Sequence, residues 1–287
     1  MSPTPASTPC PAPTAPANVL SIAGTDPTGG AGIQADLKTF GALGAYGMAV
    51  VTAVVAQNTQ AVRVVSPLAP ELVQAQLEAV FEDVAVAAVK IGMVANAGIA
   101  EAIAEVLARH RPPFVVFDPV MAASTHKRLM NESDLERIRT VLLPQVSLLT
   151  PNLKEAARLL GIAQPVDEAG MRACLPALQA LGVPNVLLKG GHLADDAPES
   201  TDLLATPEGV IRLSAPRIAT RHGHGTGCTL SSAIAALWPQ HGLEKATRMA
   251  KDYVHGALLH ADALQVGHGR GPLHHFWQAV HLPGQLA

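Results

Sequence analysis

The chain is poor in aromatic residues: Phe, Trp and Tyr make up 3% of 287 residues, against 48% for hydrophobic residues as a class. Its core must be built mainly of Ala, Val, Leu and Ile, which suits a buried parallel sheet between helices. Cysteine is scarce as well. Cys10, Cys174 and Cys228 are too few and too scattered for a disulfide framework, which points to a reducing, cytoplasmic setting. Basic runs are absent and the formal net charge is −3, which argues against a nucleic-acid surface. No uninterrupted apolar run reaches the roughly 18 residues of a membrane span. Met1 to Ala17 is rich in Pro, Ala and Thr and carries no basic residue. It lacks the charged start and apolar middle of a signal peptide and reads as a disordered tail. Residues 18–287 show no linker and no fixed-period repeat and read as a single domain.

What is present is an alternation of apolar strand, polar loop and helical run. Strands are expected at Asn18–Ala23, Gly47–Ala56, Val86–Ile91, Phe114–Phe117, Val146–Leu149 and Asn185–Leu188, with a hairpin around Thr206-Pro207-Glu208. Helical spacing covers Ile33–Leu43, Glu71–Phe81, Asn96 to about Arg109, Ser133 to about Leu143, Met171–Leu181, Thr226–Leu237 and Leu243–Leu264. Asn96 is a suitable N-cap, and Ser133 and Glu136 stand at capping-box spacing. This order predicts a doubly wound, mostly parallel sheet with helices on both faces. In such a sheet the loops after the strands gather at one edge, where ligands bind.

The most informative stretch is late: Arg221-His222-Gly223-His224-Gly225-Thr226-Gly227-Cys228. Alternating glycines at the start of an apolar helix let backbone N–H groups converge where the helix dipole adds positive charge. Gly225, Thr226 and Gly227 then form a pocket for a phosphate or a phosphoryl group in flight; the plainer alternative is a loop capped by Thr226. Other polar groups follow strands. Asp26, in Gly24–Gly32, is either a ligand acceptor or a turn residue before Pro27. Gly30-Ala31-Gly32-Ile33-Gln34-Ala35 formally matches a dinucleotide fingerprint, but no acidic residue follows about 20 positions on. Gln57, in Gln57-Asn58-Thr59-Gln60, offers a carboxamide able to read a heteroaromatic edge, or belongs to a polar turn. Met93 lines an apolar pocket or fills core. Asp118 sits where a metal or phosphate group is met. Glu155 holds Mg2+ or favours its helix dipole. Lys189 stands where it can meet nucleotide phosphates. The histidines of Gly267-His268-Gly269-Arg270-Gly271-Pro272-Leu273-His274-His275 have no standard zinc spacing and read as surface packing. A P-loop is absent, which excludes that NTPase class.

Six separated stretches carry a family resemblance. They are Ser21–Lys38, Ala56–Thr59, Lys90–Met93, Leu149–Glu155, Leu188–His192 and His224–Ser231. Together they resemble the hydroxymethylpyrimidine/phosphomethylpyrimidine kinases of thiamine biosynthesis, in the ribokinase superfamily, over residues 18 to about 277. The resemblance implies a ribokinase-like fold and ATP- and Mg2+-dependent phosphorylation of 4-amino-5-hydroxymethyl-2-methylpyrimidine, then of its monophosphate. It implies that Gln57 recognises the pyrimidine edge and that Gly24, Asp26, Ala31, Met93 and Val120 shape its pocket. Glu155, with Asn152, would organise Mg2+; Asp118 and Lys189 would lie near the nucleotide phosphates. Gly225, Thr226 and Gly227 would be the anion hole. Cys228 stands where much of the superfamily has an aspartate base, and a thiol at a helix N-terminus is expected to fall below about 8.5 in pKa. Such relatives are often dimers, so a homodimer is expected. The lead-in Thr220-Arg221-His222-Gly223 departs from the Thr-rich one of relatives. Three rivals remain: a pyridoxal kinase, a non-catalytic pyrimidine-binding regulator, and a transferase with Cys228 as covalent nucleophile.

Overall fold

The computed structural model describes residues 15–121, 131–191, 193 and 197–278. The expected tail at residues 1–14, and His192 of one family stretch, lie outside the described residues.

Among the described residues, eight strands form the central sheet. In chain order they are β1 (Asn18–Ala23), β2 (Tyr46–Val51), β5 (Ala88–Ile91), β6 (Val115–Phe117), β7 (Leu148–Leu149), β8 (Asn185–Lys189), β9 (Glu199–Thr206) and β10 (Gly209–Pro216). Their spatial order is β10-β9-β8-β7-β6-β5-β1-β2. All neighbours from β2 to β8 are parallel, while β8–β9 and β9–β10 are antiparallel. The middle strands are buried on both faces: Ala88–Ile91 and Val115–Phe117 have no exposed residue. One face is covered by α2 (Pro70–Phe81), α3 (Ala97–His110), α4 (Glu132–Arg137), α5 (Leu153–Leu160) and α6 (Glu168–Gln179). The other carries α1 (Gly32–Ala42), α7 (Thr226–His241) and α8 (Leu243–Leu259).

The strand expected from Gly47 to Ala56 is two strands. At Thr52 the chain leaves the sheet: the Thr52 hydroxyl donates to the Met93 carbonyl at 2.6 Å and its carbonyl accepts from Leu68 N–H at 2.9 Å. Beyond it β3 (Ala53–Gln57) pairs with β4 (Val62–Pro67) as a separate antiparallel arm. The periodicity of the run gave no sign of this, because both halves are apolar and β-branched. The capping box expected at Ser133 and Glu136 lies two residues earlier: Asn131 Oδ1 accepts from Asp134 N–H, and Asp134 returns the bond to the Asn131 N–H. Asn96 caps α3, accepting from Ile99 N–H at 2.9 Å. The last helix stops at Leu259 rather than Leu264, with one tight turn following at Ala261–Ala263.

The strand order reverses between β1 and β5, and a crevice opens there at the carboxyl ends of the strands.

Candidate active site

Loops after β1, β5, β6, β7 and β8 meet the α7 N-terminus and the β3–β4 arm around one cleft of about 280 Å3. That is just below the size typical for drug-sized ligands, so it suits a single small ring. Every site residue expected from the resemblance lines it: Gly24, Asp26 and Ala31 after β1, Gln57 on the arm, Met93, Asp118 and Val120, Asn152 and Glu155, Lys189, and Gly225 to Cys228. A second cavity lies on the far side of the glycine loop, between β9–β10 and α8. The two share the wall made by Asn152, Lys189, Gly223, Thr226, Gly227 and Arg270.

The glycine loop is built by close approach. Gly225, the N-cap of α7, has φ +84°, and a Cβ there would lie 1.8 Å from the Gly30 carbonyl oxygen. Gly32, at φ +57°, would put a Cβ 2.3 Å from the Gly24 carbonyl oxygen. Glycines of the dinucleotide-like stretch thus serve loop-on-loop packing, not a dinucleotide. Among the described residues, no protein acceptor meets the N–H groups of Gly227 and Cys228. Two unshared amides at a helix N-terminus are an anion site in waiting.

Asp118, Lys189 and Glu155 surround that point. Lys189 Nζ donates to Asp118 Oδ1 at 2.6 Å. A Cβ on Gly227 would stand 3.1 Å from that ammonium and 3.3 Å from Asp118 Oδ2. Burial works against the Lys189 charge, but the Asp118 and Glu155 carboxylates outweigh it and raise its pKa. Glu155 closes a capping box with Asn152, its Oε2 accepting from Asn152 N–H at 2.8 Å while Asn152 Oδ1 accepts from Glu155 N–H at 2.9 Å. Glu155 therefore starts a helix, as the dipole reading expects, and also faces the cleft. Burial pushes its carboxyl up to about 7; Lys189 pulls it down and Asp118 pushes it up again. Two carboxyl groups that share one lysine, beside an anion site, are a donor set that could hold a Mg2+ ion.

Asp26 is not free for a ligand. Its Oδ1 accepts from the Thr28 N–H and hydroxyl, and its Oδ2 from Gly30 N–H, Ala31 N–H and His224 Nε2. Burial alone would raise this carboxyl, yet bonds from His224, Gln57 and Thr28 prevail and hold it well below the usual range. Gln57 lies near Asp26 and helps hold its carboxyl down; because a carboxylate only accepts, the Gln57 NH2 is the end that suits it, which leaves Oε1 available to a ligand. The polar run after it divides its roles. Asn58 Oδ1 accepts from Gln60 and Ala61 N–H groups as a turn residue, and Thr59 packs on the segment 267–270.

Cys228 departs from the expected chemistry. Burial pushes its thiol up to about 11; nearby Lys90 lowers it, while Asp36 and Asp118 add to the rise. The helix N-terminus does not win against loss of water, so the group is a thiol at neutral pH. Lys90 and Asp36 were not picked from the sequence as site residues. Both are fully buried, with Lys90 Nζ 2.9 and 2.7 Å from the two Asp36 oxygens. A lone lysine inside the apolar strand Ala88–Ile91 was the available signal. His224 and Arg270, both lining the cleft, were also missed as site residues.

A profile described as phosphomethylpyrimidine kinase matches residues 26–274. The hydroxymethylpyrimidine/phosphomethylpyrimidine kinase of Salmonella typhimurium is 54% identical over 260 residues, which span 90% of this chain and 97% of that one. Among solved structures, the phosphomethylpyrimidine kinase of Clostridium difficile superposes with a TM-score of 0.74 at 38% identity, covering 84% of this chain and 99% of the other. The Bacillus subtilis pyridoxal kinase, solved as an ADP complex, superposes at 0.85 with 31% identity, covering 92% and 99%.

Proposed function

The chain belongs to the phosphomethylpyrimidine kinase family, and from that premise we propose that its cleft phosphorylates 4-amino-5-hydroxymethyl-2-methylpyrimidine with ATP and then phosphorylates the monophosphate. This is the kinase activity of thiamine diphosphate biosynthesis. The observation that carries the reading is the common wall: one cavity for a small ring and a second cavity meet across Gly227, whose N–H is unshared. ATP enters the second cavity, and its terminal phosphoryl group reaches the wall.

Gln57 reads the ring edge with Oε1, which accepts from the 4-amino group, while Asp26 holds its other end. Gly24, Ala31, Met93 and Val120 shape the ring pocket, and a Cβ on Gly24 would strike Met93 at 2.3 Å. Gly225, Thr226 and Gly227 supply the anion hole. Of these, Thr226 N–H already donates to the Gly223 carbonyl at 3.4 Å, so the equatorial charge of the transferring group falls to the open N–H groups of Gly227 and its neighbour Cys228, where most of the catalysis of a loose transfer lies. Cys228, as a thiol, orients the hydroxyl and does not need to be a strong base. Lys189, held by Asp118, neutralises nucleotide phosphate charge, and Asn152 fixes Glu155. Asp118 and Glu155 would hold a Mg2+ ion that screens the phosphates. A single kinase domain begins near residue 18 and works in the cytoplasm; no helix among the described residues is long and apolar enough to cross a membrane. The protein acts as a homodimer, a reading supported by apolar residues on the outer face of the β3–β4 arm, where Val54 is 53% and Val64 56% exposed.

The test is a coupled assay of ATP consumption with the free pyrimidine alcohol, its monophosphate and pyridoxal, each with and without EDTA. Turnover with both pyrimidines and loss on chelation is expected. Pyridoxal as the preferred acceptor, or no ATP consumption with either pyrimidine, would overturn the assignment.

A further inference from the structure

The segment Gly267-His268-Gly269-Arg270-Gly271 has no role so far, and its packing gives it one. A Cβ on Gly267, where φ is +69°, would lie 2.3 Å from Thr59 Oγ1. On Gly269 it would lie 2.1 Å from the Thr59 carbonyl oxygen, and on Gly271 2.3 Å from His222 Nδ1. Alternate positions are glycine because protein backbone and side chains press on them. The segment is a strap between two parts of the cleft. Gly269 N–H donates to Thr59 Oγ1 at 3.0 Å and Arg270 N–H to the Thr59 carbonyl at 3.0 Å, on the arm that carries Gln57. At the other end the Gly271 carbonyl accepts from His224 N–H at 3.1 Å, on the glycine loop.

Arg270 projects from the middle of this strap. Its guanidinium lies 3.4 Å from the Gly223 carbonyl oxygen and lines both cavities at their junction. The two lysines of the acceptor cavity are already matched, Lys90 by Asp36 and Lys189 by Asp118. Arg270 has no carboxylate partner among the described residues. It is thus a positive charge at the junction of the two cavities, on a strap bonded to the arm that carries Gln57, with no carboxylate beside it among the described residues.

We propose that Arg270 binds the phosphate of the phosphorylated acceptor and so serves the second transfer more than the first. The inference rests on the two-step reading above. The pyrimidine alcohol is neutral, and its phosphate is a dianion that must come to lie between the ring pocket and the anion hole. A planar guanidinium there gives that phosphate paired hydrogen bonds, which an alcohol cannot use.

The experiment measures both transfers at saturating ATP, and again with ATP varied at saturating acceptor, for the wild type, Arg270→Gln and Arg270→Lys, with thermal midpoints as a folding control. For Arg270→Gln, kcat/KM on the monophosphate should fall about 30-fold, mostly through KM, as expected for the loss of bonds to a charged group. The alcohol step should fall less than about threefold on the same scale, and Arg270→Lys should recover part of the second step. Equal losses in both steps, a raised KM for ATP, or no loss in either would overturn the proposal. Calorimetric binding of each acceptor without ATP separates this from the kinase reading. If the wild type turned over neither acceptor, the kinase assignment would fall, but Arg270 would still be judged by whether its replacement lowers affinity for the monophosphate relative to the alcohol. An unchanged affinity ratio would sink it.

Discussion

His224 Nε2 stands 2.8 Å from Asp26 Oδ2, although 198 positions separate the two residues. Asp26 organises the loop after the first strand, and His224 opens the glycine loop before α7. Gln57 lies beside the same carboxylate and lowers its pKa. One buried acceptor therefore sets the spacing between the group that reads the ring and the amides that meet the phosphoryl group. A change at Asp26 is felt on both sides of the reacting atoms.

Asp26→Asn should show this. The neutral amide keeps one acceptor oxygen and places an NH2 among donors, so buried N–H groups go unmatched. A cost of about 2–3 kcal/mol in stability is expected, read by urea unfolding. KM for the pyrimidine should rise by about tenfold as Gln57 loses its orientation. The pH dependence has a definite sign. The folded-state pKa of Asp26 is lowered, so its charge stabilises the protein above the unfolded carboxylate range near pH 4 and the contribution fades as pH falls below it. The wild type should lose its advantage over Asp26→Asn in acid. An advantage that stays constant down to pH 3 would contradict the electrostatic account.

Gly225→Ala is the sharpest probe of the loop contact. Alanine meets two obstacles, a φ of +84° and a Cβ position 1.8 Å from the Gly30 carbonyl oxygen. The loops must move apart by an ångström or more, and a displacement of that size at a reacting centre costs about 100-fold in kcat. Ala substituted at Gly44, where nothing lies within 4 Å of the added Cβ although φ is +77°, provides the control for backbone strain without a clash. Equal activity in the two variants would show that the Gly30 contact does not matter.

Cys228 should behave as a protected thiol. With its pKa pushed up to about 11, its alkylation by iodoacetamide should be slow at pH 7.5 and still be rising above pH 9. Cys228→Ala should lose more than about tenfold in kcat, with pyrimidine affinity near wild type, because the thiol positions the hydroxyl. A fast-reacting thiol at neutral pH would restore it as a base. An unchanged kcat would remove it from the mechanism.

Much of this site was legible in the chain, for a physical reason. Residues after parallel strands are carried to one edge of the sheet whatever the details of packing, so Met93, Asp118, Asn152 and Lys189 had to come close. What escaped depends on contacts between distant segments. The Thr52 bonds that peel the β3–β4 arm away involve Met93 and Leu68, and no local pattern encodes them. The strap at Gly267–Gly271 looked like surface because its glycines are explained only by Thr59 and His222. The thiol of Cys228 was misjudged because a sequence shows the helix N-terminus but not the lost water and the Asp36 and Asp118 carboxylates around the side chain. Asp36 and Lys90 lie in two of the family stretches, but nothing local pairs residues 54 positions apart until the fold puts them together.

That last pair supports a final prediction. Lys90 Nζ meets both oxygens of Asp36, and the hydroxyls of Ser21 and Ser232 donate to the same carboxylate at 2.6 and 2.7 Å. All four residues are fully buried, and Ser232 lies one helical turn beyond Cys228 on α7. Burial disfavours the Lys90 charge, yet Asp36 and its neighbours raise the pKa further. The folded value therefore exceeds the unfolded one near 10.4, so the pair's contribution is complete at neutral pH and is lost only as pH rises through the folded value. Replacing one partner strands the other charge in a dry interior, at a cost of about 3–5 kcal/mol. Lys90→Met and Asp36→Leu should each unfold at much lower urea than wild type. The double variant should recover most of the loss, since a well-packed apolar pair often matches a buried ion pair. It should not recover turnover, because the charge beneath the Cys228 turn would be gone. Additive destabilisation in the double variant would show that the two side chains do not act as a pair.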